Sequence, residues 1–208
     1  MGLVLGLALL PASAQPAGAR QVTSAPQARS AIDLSGVERF LEIVAVLEQD
    51  REPTPAQWDQ LFSTPGYAVL LAREFSRQDF ENRFRLAFVP SKKADLDARL
   101  KKDTGFAAQF LPHYVKAKAM RGEIERRVGA FRTAAFADEA LACARAFLPA
   151  SITREQPSVA FVVFAPDSRG YDPVVLDILY MNDREEFLNT VAHEFHHWYR
   201  AKRSSPRT

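Results

Sequence analysis

The sequence predicts an α+β protein, predominantly helical, in which a small antiparallel strand pair separates a helical N-terminal part from one long C-terminal helix. Three observations carry that prediction. Segments with apolar residues at helical spacing recur from 33 to 150, several of them introduced by Ser, Thr or Pro in cap positions. Two runs rich in β-branched and aromatic residues, 159–164 and 174–180, follow, separated by the turn region Pro166-Asp167-Ser168-Arg169-Gly170. A final amphipathic stretch runs from 183 to about 202, and Pro206 forbids much further helix.

Taken in order, residues 1–10 are apolar, and Ala12-Ser13-Ala14 has the small-x-small pattern of a cleavage site before Gln15. The expectation is a signal peptide over 1–14 and a secreted or periplasmic protein, although no Lys or Arg precedes the apolar run. That run is too short to cross a bilayer, which takes about 20 apolar residues, so no stable membrane span is expected. The Ala/Pro/Ser/Gln-rich stretch 15–32 reads as a disordered leader.

The helical region 33–150 opens with capping-box spacing at Ser35 and Glu38, followed by Val37, Phe40, Leu41, Val44 and Leu47. Thr54-Pro55-Ala56-Gln57 repeats the device with Pro at the first helical position, ahead of Trp58, Leu61 and Phe62. After the turn Ser63-Thr64-Pro65-Gly66, two further amphipathic segments carry Tyr67, Leu70, Leu71 and Phe75, then Phe80, Phe84 and Phe88. Ser91 is placed to cap a short charged helix with Leu96 and Leu100. Pro112 is placed to start a longer one with Val115, Ile124, Val128 and Phe131. The Ala-rich stretch 133–148 ends at Pro149. Phe residues at these spacings read as core packing.

Composition excludes several classes. One cysteine, Cys143, cannot form an internal disulfide and reads as a small buried hydrophobe. A scattered net charge of +2 argues against a nucleic-acid partner. Gly-rich phosphate loops, Cys-x-x-Cys pairs and a Gly-x-Ser-x-Gly elbow are absent from the sequence.

What remains is the stretch Thr190-Val191-Ala192-His193-Glu194-Phe195-His196-His197-Trp198-Tyr199, which contains H-E-x-x-H as His193, Glu194 and His197. Residues four apart on a helix lie one above the other, so both imidazoles can reach one metal ion. Glu194 sits about 100° round the helix, where a carboxylate does not ligate the ion but can take a proton from water bound to it. The segment is helical by its local signals: Asn182 or Asp183 as N-cap, Asp183 to Glu186 at capping-box spacing, acidic residues in the first turn and basic ones in the last. Phe187, Leu188, Val191, Phe195 and Trp198 form its apolar stripe, and the histidines are on the other side. His196 points about 60° away from His193 and reads as a supporting or solvent residue.

Over 157–199 the chain resembles the zincin metallopeptidases, and more narrowly bacterial proteins described only as zinc-dependent peptidases with an H-E-F-H-H core. The resemblance implies a zinc ion as cofactor, His193 and His197 as ligands, Glu194 as catalytic base, and a peptide or protein as substrate. It also implies that the strand 174–180 pairs with extended substrate backbone. The metzincin extension is missing, since Arg200 and Arg203 stand where a Gly and a third His would be expected.

A catalytic zinc takes three protein ligands and keeps one position open for water. Residues 198–208 contain no His, Asp, Glu or Cys. Upstream, His113 reads as a polar surface residue at a helix start, and Asp177 as a strand residue facing solvent or capping a neighbour. The expectation is therefore a zincin-like catalytic domain, 151–208, incomplete at its C-terminus. The alternatives are a secreted helical binding module with a structural or incidental zinc site, or a zinc hydrolase of another amide or ester.

Overall fold

The computed structural model describes residues 31–132, 135–148, 155–180 and 183–204. The signal peptide and most of the leader expected from the sequence lie outside the described residues. At the sheet's outer edge, β1 (Ile32–Asp33) is followed by α1 (Ser35–Leu47), α2 (Pro55–Phe62), α3 (Pro65–Arg73), α4 (Arg77–Phe88) and α5 (Lys93–Lys102). Then come α6 (Phe110–Ala119), α7 (Arg121–Phe131), α8 (Phe136–Arg145), β2 (Val159–Val162), β3 (Ser168–Arg169), β4 (Val174–Asp177) and α9 (Arg184–Ser204). The architecture is the expected helix-dominated α+β. Among the described residues no helix is long and apolar enough to cross a membrane.

The local signals set several of these ends. Thr54 and Gln57 close a reciprocal capping box with Pro55 inside the first turn. Asp183 accepts the amide of Glu186 at 2.8 Å and caps α9. Ser35 does not cap α1, which begins beyond Leu34; its hydroxyl donates to Asp33 instead. Ser91 lies in a 3-10 turn before α5 and caps nothing. The single helix expected from Pro112 is two, α6 and α7, because the backbone leaves helical geometry at Met120 (φ −104°, ψ 21°). Cys143 is exposed rather than buried.

The strand pair is the main correction. The segments expected to form an antiparallel hairpin are parallel neighbours, with Val159 opposite Val174 and Val162 opposite Asp177. The four strands run β1-β2-β4-β3, and only β3 is antiparallel to its neighbour. The physical reason lies in the run 159–165, every residue of which is buried. A strand covered on both faces reads as a continuous apolar segment, the mark of parallel pairing in a covered sheet. Phe161 packs on Phe131, Phe136 and Phe187, from α7, α8 and α9. Ala160 and Val162 face the other way, against α1 and α3.

Two aromatic groups fill the core. Phe40, Phe84, Phe88 and Tyr114 meet mostly edge to face, joined by Trp58, Phe62 and Phe80. On the other side of the sheet Phe187 stacks on Phe131 at 5.2 Å and anchors the start of α9. The phenylalanines named at helical spacing from Phe40 to Phe131 belong to this core or pack against it, as that spacing indicates, whereas Phe147 is exposed.

Candidate metal centre

The sheet and α8 between them fix how α9 is presented. Val191, Phe195, Trp198 and Tyr199 are buried, whereas His193 and His197 are exposed on the opposite side. Their Nε2 atoms stand 2.9 Å apart. A tetrahedral zinc with Zn–N of about 2.0–2.1 Å holds two nitrogens roughly 3.3 Å apart, so the pair fits a shared ion after opening by a few tenths of an ångström. His196 is not part of this pair: its Nε2–H donates to the carbonyl of Ala144, 2.9 Å away, and ties α9 to the end of α8.

Glu194 is buried, unlike the two histidines beside it. Its Oε1 accepts a 2.8 Å hydrogen bond from the hydroxyl of Ser168 on β3. Ser168 is itself buried and paired through β3 with Leu176. Gly170, just beyond, has no Cβ to keep the strand away from the helix. One built there would overlap the Cβ of His197 and stand 3.0 Å from the Glu194 carbonyl oxygen. Gly170→Ala is therefore expected to cost about 1–3 kcal/mol by forcing β3 off α9, read as a lowered denaturant midpoint; an unchanged midpoint would refute the close packing.

Charged residues hold the strand in place. Arg169 is clamped by Glu74 at 2.6 Å and Asp167 at 2.5 Å, and Tyr171 donates to the same Glu74 at 2.6 Å. Burial disfavours the Glu74 carboxylate, but the hydrogen bonds from Arg169 and Tyr171 outweigh it and hold its pKa below the ordinary range. Burial likewise opposes the charge on Arg169, and Glu74 and Asp167 reverse it. Asp172 is also lowered: partial burial acts against it, and Lys202 and Trp198 prevail.

The other ligand candidates are elsewhere. His113 is buried, not on the surface, and its Nε2 lies 2.9 Å from Asp177 Oδ2. Asp177 also accepts the amides of Phe164 and Leu179, both at 2.8 Å. This pair joins α6 to the sheet and has its hydrogen bonds accounted for. Among the described residues no group of three His, Cys, Asp or Glu side chains could hold a metal ion. The strand expected to face a substrate, 174–180, is not at an edge, because β4 has β2 on one side and β3 on the other. The edge next to the histidines is β3. It spans two residues, too few for a strand pattern, so Ser168 and Gly170 read as turn residues in the sequence.

A family model described as "Putative zinc dependent peptidase (DUF5700)" matches residues 58–207. No curated protein and no solved structure matches the chain.

Proposed function

This chain belongs to that family of zinc-dependent peptidases, and from that premise we propose that it hydrolyses peptide bonds with His193 and His197 as zinc ligands and Glu194 as the general base. The observation that carries the reading is the meeting of three features on one side of α9: two convergent imidazoles, a buried carboxylate between them in sequence, and a sheet edge alongside.

Zinc bound there would supply a Lewis acid beside the substrate carbonyl and lower the pKa of its water toward about 7. The protein's own part follows from the geometry. Ser168 fixes one oxygen of Glu194 by hydrogen bonding to Oε1. Oε2 is left to take the proton of the attacking water and return it to the leaving amine. The outer edge of β3 offers main-chain groups to an extended peptide, which would lie along the helix face that carries the histidines. We further propose that the protein works outside the cytoplasm, on the signal-peptide pattern of residues 1–14.

The test is metal removal on the full chain. Peptide hydrolysis is expected to disappear after dialysis against a chelator and to return with zinc. In His193→Ala and His197→Ala, zinc content measured by elemental analysis should fall toward zero. Zinc retained by both variants would overturn the ligand assignment. Tight zinc binding without hydrolysis of any peptide would return the reading to a non-catalytic binding module.

A further inference from the structure

Beside the histidine face lies a cleft of ≈ 740 Å³ whose lining includes Glu194 and His197, the β3 segment and the last turns of α9. Its charged lining is unequal: Arg73, Arg169, Arg200 and Lys202 against Asp172 and Glu194. Arg169, Arg200 and Lys202 are each engaged within the protein. Arg169 is clamped by Glu74 and Asp167, and Lys202 lies 2.9 Å from Asp172.

Arg73 differs from these. It stands exposed in the last turn of α3 and, among the described residues, makes no ion pair. Its guanidinium carbon is 5.7 Å from the centroid of the Tyr171 ring. That ring is held in turn by its hydroxyl on Glu74, the carboxylate that also clamps Arg169. The C-terminus of α3 attracts a cation at this position in any case. It does not account for an aromatic platform under the guanidinium or for its opening onto the cleft. An arginine resting on a fixed ring presents its planar fork with less freedom to lose, and the group that matches the fork is a carboxylate.

We propose that Arg73 receives a carboxylate of the substrate, so that the cleft selects peptides bearing an acidic side chain or a free C-terminus close to the bond cleaved. The selection rests on the peptidase reading of the same site. Tyr171 orients the guanidinium, and the Glu74 and Asp167 clamp keeps Arg169 from competing for the ligand.

The experiment uses the zinc-loaded full chain and alanine-based peptides in three forms: one Glu with an amidated end, one Gln with an amidated end, and one Gln with a free C-terminus. At least one carboxylate-bearing form should show a KM about tenfold below that of the neutral form, the scale of one charge-assisted contact in an open cleft. Arg73→Gln should remove that advantage through KM rather than kcat, Arg73→Lys should restore part of it, and Arg73→Glu should reverse it toward a Lys-containing peptide. Whichever carboxylate-bearing form carries the advantage identifies its source as side chain or C-terminus. Equal KM values for all three forms, or a preference that survives Arg73→Gln, would overturn the proposal. The same peptides titrated into Glu194→Gln, with the fluorescence of Trp198 in the cleft as readout, report binding without turnover. An Arg73-dependent preference there, with no hydrolysis by the unmodified chain, would sink the peptidase reading and keep the carboxylate site.

Discussion

Glu194→Gln is expected to lower kcat/KM for a cleaved peptide by about 10²–10⁴-fold while zinc content stays unchanged. The amide keeps the shape of the carboxylate and still offers an oxygen to Ser168, whose hydroxyl donates to Oε1 at 2.8 Å. It cannot take a proton from water. The histidine pair, four residues apart and exposed, does not depend on the charge of Glu194 to remain together. Steady-state kinetics beside elemental analysis reads both quantities on one sample. Full activity in the Gln variant would remove Glu194 from the mechanism, and loss of zinc would show that it holds the metal rather than the proton.

Asp177→Ala should act on stability. Its carboxylate holds the amides of Phe164 and Leu179 and the ring of His113, all in the interior. Truncation leaves those donors buried without an acceptor, at an expected cost of about 3–5 kcal/mol. A denaturant titration of the folded protein measures it, and Asp177→Asn should lose less because an acceptor oxygen remains. A variant of wild-type stability that had lost its zinc would instead make Asp177 a ligand.

How far the sequence could be followed depends on how local each determinant is. The face of α9, its Asp183 cap and its buried stripe are written within about twenty residues of one another, and the structure has them as expected. The Thr54 capping box is as local and as legible. The burial of His113 is not legible because its partner is 64 residues away, so nothing near it in sequence marks it as interior. The strand direction is not legible for a similar reason: whether 159–164 pairs parallel depends on helices from distant parts of the chain covering both faces. Ser168 lay within a stretch with turn chemistry, and only the fold brings its hydroxyl to Glu194 across 26 residues.

Two elements of the core precede the stretch that the family model matches. The family model begins at residue 58, yet β1 and α1 lie before it and are built into the middle of the molecule. α1 contributes Val37, Phe40, Ile43, Val44 and Leu47 to the interior, and a Cβ on Gly36 would come within 2.7 Å of the Phe161 carbonyl. β1 occupies the outer edge of β2, with Val159 donating to Ala31 at 2.8 Å. Cutting at the border of detectable kinship would bare that edge together with the apolar run 159–165 behind it, the kind of surface that recruits other chains. The matched stretch and the unit that buries its own core thus have different borders in this chain: α1 must be in place before the sheet behind α9 is covered.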